Sequence, residues 1–305
     1  MTNTHLAGAR AAALSLASSA LLAACGGGGG GAGANPGQGS GAAPIVTTAT
    51  AGTAMYGKTL VLTLTGANLD QGINVSATGC SGVTLDTSAS GPAAAQYDCT
   101  VSAVGAGQLV VKQTNGGSVL KTVPFTVPVP QVTLAFGNGA GVTGSVVLTL
   151  APDKTPVTVN NFLAYVNSGF YVGTVFHRVS PGYLVQGGGY TAPLDANNQN
   201  LKATSAPIAL EVGKGLSNTQ WTIAMARTSD PNSATSQFFI NLVDNSAELD
   251  PGLSAGYAVF GSVTSGTANV AAIVGAPCTA IPNFLPSGEC TPSPNMVITS
   301  ATQTQ

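Results

Sequence analysis

Charge is scarce in this sequence: only 7% of its residues are Asp, Glu, Lys or Arg, the formal net charge is −2, and no basic run or arginine-aromatic patch occurs. The electrostatic footprint that neutralises a phosphate backbone is therefore missing, which excludes nucleic acid as a partner. Histidine is limited to His5 and His177, and no Cys-x-x-Cys pair accompanies them. Such a set is a weak basis for a zinc-type site, so no metal is expected, and no cofactor is implied. Aromatic residues make up 6% of the chain. The run of Ala, Leu and Ser from Ala11 to Ala24 falls short of the ~20 residues that a helix needs to cross a bilayer. What is abundant is apolar material, 44% of 305 residues, together with 40 glycines. That combination supports sizeable cores in a β-rich, loop-rich chain long enough for two domains.

The first 24 residues read as a secretory signal, with Arg10 ahead of the apolar run and small residues at its end. Leu22-Ala23-Ala24-Cys25 resembles a bacterial lipobox, which implies cleavage before Cys25 and acylation of that cysteine. Several acyl chains on one residue would anchor the protein stably to a membrane. Gly26 in place of aspartate resembles the pattern that releases lipoproteins to the outer membrane, so the expected location is the cell envelope, facing the periplasm. Loss of Arg10 leaves 8 basic against 11 acidic side chains. Setting Cys25 aside leaves Cys80, Cys99, Cys278 and Cys290, an even set suited to an oxidising compartment. Four cysteines permit three pairings, of which the local one, Cys80 with Cys99 and Cys278 with Cys290, keeps each bridge within one half of the chain.

Residues 25–43 are a glycine-rich tether with almost no large side chains. From 44 to 128 apolar residues alternate in short runs, as in Leu60, Leu62 and Leu64, then Ile73, Val75 and Ala77, then Leu109 and Val111, with turn signals between. The pattern predicts a small antiparallel β-sandwich of immunoglobulin-like type, with no residue cluster that carries chemistry. Its role is read as a spacer or interaction module of unassigned partner. Val127-Pro128-Val129-Pro130 is a stiff extended connection. The second domain, 131–305, has strand patterns at 144–150, 174–179, 222–226, 237–243 and 257–263. A helix opens at Thr155-Pro156, carries Val159, Phe162, Leu163 and Val166 on one face, and stops at Gly169.

Within this domain an apolar strand, a Pro-Gly turn and a second strand ending in glycines run from Phe176 to Gly189 and hold one cation, Arg178. No carboxylate lies between Asp153 and Asp195 to pair with it locally. The signature Phe176-His177-Arg178, Pro181-Gly182-Tyr183 and Gln186-Gly187-Gly188 resembles that of the cyclophilin-type peptidyl-prolyl cis/trans isomerases. Three further blocks in the same order strengthen the resemblance: Thr158 to Ser168, Thr222 to Arg227 with Ser236 to Ile240, and Gly256 to Gly261. The resemblance covers most of residues 131–300. It implies a mainly β chain in which the sandwich precedes a closed eight-stranded antiparallel barrel capped by helices, with its site on the outer surface.

The resemblance also implies roles. Arg178 is the catalytic donor, and Gln186 and Gln237 orient its guanidinium and the substrate backbone. Tyr183, Leu184, Phe239 and Leu249 form the apolar pocket for the proline ring, with Ala226, Arg227 and Tyr257 completing the substrate-binding set. Leu184 stands where methionine is common, Tyr183 where phenylalanine is, Arg227 where asparagine is, and Trp221 where glycine is. The segment Asn245 to Asp250 is one residue longer than usual and puts Glu248 where an aromatic residue lines the pocket. That change bears on cyclosporin binding more than on turnover. His177 beside Ser180 invites a hydrolase reading, but Ser180 does not stand in a Gly-x-Ser-x-Gly elbow. In the family this histidine is structural, packed inward while the arginine faces the groove. The partners implied are proline-containing polypeptides, and the function is isomerisation during folding of exported proteins. The alternative is a non-catalytic proline-peptide binder or a structural envelope lipoprotein.

Overall fold

The computed structural model describes residues 42–114, 117–252 and 254–305. The signal segment 1–24, Cys25 and nearly all of the tether lie outside the described residues. The first seven strands are β1 (Ile45–Ala51), β2 (Thr59–Ala67), β3 (Ile73–Thr78), β4 (Cys80–Asp86), β5 (Ala94–Val101), β6 (Gly105–Gln113) and β7 (Val119–Val127). They form a four-stranded sheet, β1-β2-β5-β4, and a three-stranded sheet, β3-β6-β7. Alternation along β2 explains the layering. Leu60, Leu62 and Leu64 are buried while Val61 and Thr63 are half-covered. The antiparallel register sets Leu60 opposite Cys99 and Leu62 opposite Tyr97, so β5 supplies the same face. Leu109 and Val111 of β6 join the same buried cluster from the other sheet. The Cys80–Cys99 bridge links neighbouring strands of one sheet.

The Val127 to Pro130 connection leads directly into the second half, where Leu150 N–H donates to the Pro130 carbonyl at 2.9 Å. There follow β8 (Gln131–Gly137), β9 (Thr143–Leu150), α1 (Pro156–Asn167), β10 (Thr174–Ser180), β11 (Leu184–Thr191), β12 (Thr222–Met225) and β13 (Phe238–Asn241). The chain ends with α2 (Ser246–Leu249), β14 (Val259–Ser265), α3 (Thr267–Val274), the short strands β15 (Cys278–Thr279) and β16 (Thr291–Pro292), and β17 (Met296–Gln303). Eight strands close into an antiparallel barrel in the order β10-β11-β13-β12-β14-β9-β8-β17. Closure leaves no edge among these eight strands, and their interior is filled by Phe136, Phe176, Val185, Ile223, Phe238, Ile240 and Phe260, all buried. Phe162 of α1 meets Phe238 edge to face at 5.9 Å, which fixes the helix on the barrel end. The second disulfide joins Cys278 to Cys290.

Helix α1 starts at Pro156 as its sequence predicts and buries Val159, Phe162, Leu163 and Val166. Its cap is different from the one expected. The Thr155 side chain makes no capping bond. The Glu211 carboxylate instead accepts from the N–H of Val157 (3.3 Å) and Thr158 (2.7 Å) and from the Thr158 hydroxyl (2.8 Å). A full negative charge on the exposed N–H groups of the first turn outcompetes a hydroxyl for that place. The two β regions also touch: Gln303 Nε2–H donates to the Tyr56 carbonyl at 2.8 Å, and the buried Tyr56 ring belongs to the same apolar cluster as Leu163. Among the described residues no helix is long and apolar enough to cross a membrane.

Glu211→Ala removes three bonds from the first turn of α1 and should lower unfolding free energy by about 1–2 kcal/mol. Urea denaturation of the full chain measures this. An unchanged midpoint would mean that Glu211 caps nothing in solution.

Candidate active site

Register places the outward side chains of four barrel strands in one row. Arg178 of β10 lies opposite Gln186 of β11, Gln186 opposite Phe239 of β13, and Phe239 opposite Ala224 of β12. Val185, Ile240 and Ile223, their alternates, fill the interior. A hydrogen-bonded chain runs along the row: Arg178 Nη1–H donates to Gln186 Oε1 at 3.1 Å, and Gln186 Nε2–H donates to Gln237 Oε1 at 2.9 Å. Gly189 makes room for this, because a Cβ there would sit 2.6 Å from Gln237 Cγ.

The guanidinium also has a carboxylate partner that local sequence cannot reveal. Glu289, 111 positions away, accepts from Arg178 Nε at 2.5 Å and from Nη2 at 2.6 Å. Both side chains are partly covered, Arg178 at 24% and Glu289 at 10% exposure. The arginine that lacks a local counter-ion thus has a bidentate one delivered from the loop between β15 and β16.

Beside Arg178 lies a cavity of about 230 Å³ lined by Tyr183, Leu184, Gln186, Ala226, Arg227, Phe239, Leu249 and Tyr257. Leu184, Phe239 and Leu249 are buried within one apolar cluster. Phe239 meets Tyr257 edge to face at 5.6 Å. Arg227 lies over the Tyr257 ring at 4.5 Å and spends N–H groups on the carbonyls of Gly256 (3.0 Å) and Thr228 (2.9 Å). All of the residues expected to bind substrate line this cavity except Gln237. That residue lines an adjoining cavity of about 250 Å³ with His177, Arg178, Gln186, Tyr190, Phe284, Leu285 and Pro286. Glu248 is exposed at the rim. Burial first, and then a hydrogen bond to Glu248, hold the Tyr183 phenol above its ordinary value.

Three buried asparagines, invisible to motif reading, hold the pocket's walls together. Asn218 Nδ2–H donates to the carbonyls of Leu249 (3.2 Å) and Tyr257 (3.3 Å) and to Asp250 (2.8 Å). Asn241 donates to Asn218 Oδ1, and Asn245 donates to Asn241 Oδ1 and to the Tyr183 carbonyl at 2.9 Å. Each satisfies a polar group that burial would otherwise leave unpaired. Trp221, where the resemblance leads to an expectation of glycine, has φ +65, the left-handed region that glycine enters without strain.

His177 is buried, at 3% exposure, but not inside the barrel, where strict alternation with the outward Arg178 would put it. Register shifts on either side of Phe176, and Phe176 and Val179 both enter the main core. His177 is covered instead by Tyr190 (4.9 Å between centroids) and Phe284 (6.3 Å) on the outside of the sheet. Burial lowers its pKa from 6.5 to about 3, and its Nδ1 has no hydrogen-bond partner among the described residues. Among the described residues no serine hydroxyl bonds to this imidazole, which lies under the rings of Tyr190 and Phe284.

Residues 134–303, more than half of the chain, match the family described as cyclophilin type peptidyl-prolyl cis-trans isomerase/CLD. Over 124 residues the chain is 54% identical to peptidyl-prolyl cis-trans isomerase A of Dickeya dadantii, covering 40% of this chain and 62% of that protein. A peptidyl-prolyl cis-trans isomerase of Acinetobacter baylyi is 50% identical over 123 residues, 40% of this chain and 63% of its own. The chain therefore spans less than two thirds of the length of these relatives. A solved cyclophilin-type isomerase of Cryptosporidium parvum, crystallised in the presence of the dipeptide Ala-Pro, covers 57% of this chain and 99% of its own at 20% identity, with a TM-score of 0.44.

The buried His177 makes stability depend on pH. Its folded pKa, about 3, lies below its ordinary 6.5. The unfolded chain therefore binds the extra proton between those values, and stability is full above pH 6.5 and lost as pH falls. From pH 7 to 5 this one group should remove about 1–2 kcal/mol, and His177→Phe should abolish that share of the slope. Equal slopes for both proteins in urea titrations at the two pH values would show that the imidazole protonates freely.

Proposed function

The chain belongs to the cyclophilin-type peptidyl-prolyl cis/trans isomerase family, and from that premise we propose that it turns Xaa-Pro bonds in exported polypeptides, with Arg178 as the catalytic donor. The carrying observation is the guanidinium of Arg178 at the wall of a cavity of about 230 Å³ to which Leu184, Phe239 and Leu249 give an apolar side, a size suited to a pyrrolidine ring. The Xaa-Pro amide resists rotation because resonance holds it planar, with a barrier of about 18–20 kcal/mol. Turnover on the order of a thousand per second needs roughly 6–8 kcal/mol removed from it. No nucleophile is required. As the bond twists, the prolyl nitrogen becomes pyramidal and basic, so a donor aimed at that nitrogen binds the transition state better than either planar form. Leu184, Phe239 and Leu249 would hold the ring, while Gln186 and Gln237 would orient the guanidinium and the peptide backbone.

A second reading is a non-catalytic binder of proline-containing peptides. The Arg178–Glu289 pair favours it, because a guanidinium already neutralised has less charge to offer. Retained peptide affinity without turnover would decide for that reading. On sequence pattern alone we further propose that the chain is lipidated at Cys25 and faces the periplasm from the envelope, with residues 44–128 as an immunoglobulin-like spacer or docking module.

Isomerisation of an Ala-Pro peptide by the full chain tests the main reading. Arg178→Ala should lower kcat/KM by about 10²–10³. Arg178→Lys, which keeps a cation beside Glu289 but cannot fork, should lose nearly as much while remaining folded. Full activity in the lysine variant would sink the donor role. For the anchor, Cys25→Ser should move the protein from the membrane fraction to the soluble one; unaltered fractionation would refute lipidation.

A further inference from the structure

We propose that Glu289 is a positioning residue for Arg178, presented by the disulfide-closed loop between Cys278 and Cys290. This rests on the isomerase reading of the site. The carboxylate takes one edge of the guanidinium, Nε at 2.5 Å and Nη2 at 2.6 Å, while Gln186 takes one N–H of Nη1 at 3.1 Å. Three of the five N–H groups are thereby occupied, and one remains on each terminal nitrogen. A parallel two-bond fork to a carboxylate fixes the plane of the guanidinium as well as its place, which a single neutral bond to Gln186 does not.

The loop is built to deliver that carboxylate to that strand. Val179 N–H donates to the Cys290 carbonyl at 2.8 Å, and Cys290 N–H returns a bond to the Val179 carbonyl at 3.1 Å. The Thr291 hydroxyl donates to the His177 carbonyl at 2.7 Å. The residues following Glu289 are thus stitched to the residues on both sides of Arg178. On the other side, Glu289 N–H closes a turn onto the Pro286 carbonyl at 3.2 Å, with Gly288 at φ +86, as the third position of a type II turn requires. The disulfide to Cys278 and the pairing of Cys278 with Pro292 tie down the loop's base. Phe284 covers Tyr190 edge to face at 5.0 Å and anchors its tip.

The cost of ordering a long flexible side chain is met before substrate arrives. Arg178 stands on the outside of a barrel and is a quarter exposed. An arginine there has about 2 kcal/mol of rotamer entropy to lose, and a donor must hold its aim to be useful in the transition state. Pairing with a carboxylate at 10% exposure supplies that order from within the fold.

The test uses the full chain and two readouts. In isomerisation of an Ala-Pro peptide, Glu289→Ala should lower kcat/KM about tenfold or more. Glu289→Gln, which keeps one acceptor, should lose less. In an Arg178→Ala background Glu289→Ala should add nothing, because its effect passes through the guanidinium. Independently of turnover, the Nε–H proton resonance of Arg178 should be exchange-protected in the unaltered protein and lose that protection in Glu289→Ala. An alanine variant as fast as or faster than the parent, a further loss in the double variant, or an unaltered Nε–H signal would each overturn the proposal. If the unaltered protein does not turn over the peptide at all, the isomerase reading fails, while the Nε–H signal still judges the positioning.

Discussion

Strand register in the closed barrel is the constraint on which the rest depends. Arg178, Gln186, Phe239 and Ala224 stand side by side only because β10, β11, β13 and β12 pair at those residues. Side chains alternate with period two, so a slip of one residue would turn this row toward the interior and push Val185, Ile240 and Ile223 into solvent. The core therefore enforces the site: the apolar interior residues choose the register, and the polar row follows without needing cohesion of its own. The asparagines at 218, 241 and 245 extend the same logic to the loops. They bond to one another and to the carbonyls of Tyr183, Leu249 and Tyr257, so the pocket's loop-borne walls are fixed to the barrel strand β13.

Much of this was legible in the sequence wherever periodicity or a dense motif carried the signal. Leu60, Leu62 and Leu64 alternate and are buried; Val159, Phe162, Leu163 and Val166 share a helix face and are buried. From the hairpin motif His177, Arg178, Tyr183, Leu184 and Gln186, and from the two later blocks Ala226, Arg227, Gln237 and Phe239, line one cavity or the one next to it. What escaped is what depends on long separation or on broken regularity. Glu289 reaches Arg178 across 111 positions from a loop with no periodic pattern. Glu211 caps α1 from 53 positions away. His177 departs from alternation because of irregular pairing around Phe176, which no composition rule signals. The Pro-rich connection from Val127 to Pro130 says nothing of contact between the halves on either side, yet Gln303 bonds to Tyr56 and one apolar cluster spans both.

Scarcity of charge gives each ionic group unusual weight. With 7% charged residues, few mobile side chains compete for the guanidinium or screen it, and the few that are placed are given specific tasks. Glu211 sits on a helix N-terminus, Glu289 on Arg178, and Arg227 against an aromatic face. The effective dielectric around a partly covered group in an apolar wall is lower than in water, so a fixed donor acts more strongly there. The same environment would penalise a guanidinium left without a partner. One carboxylate bound at one edge answers both demands: it compensates the charge and, with Gln186 on Nη1, leaves one N–H on each terminal nitrogen without a partner among the described residues.

That division bears on how a polypeptide could lie on the barrel. A proline inside a chain has residues on both sides, so an enzyme acting on it needs a closed notch for the ring and open surface for what flanks it. Arg178 and Gln186 line both the cavity walled by Leu184, Phe239 and Leu249 and the one walled by Tyr190, Phe284 and Pro286. The first is made by barrel strands and the α2 region, the second partly by the loop that carries Glu289. Under the proposed reading, the loop therefore does two things at once: it aims the donor, and it shapes the surface that meets the chain beside the proline. A substitution at Leu285, which lines only the second cavity, would act on peptide sequence preference, whereas one at Glu289 would act on the rate for every peptide, because its carboxylate binds the guanidinium itself.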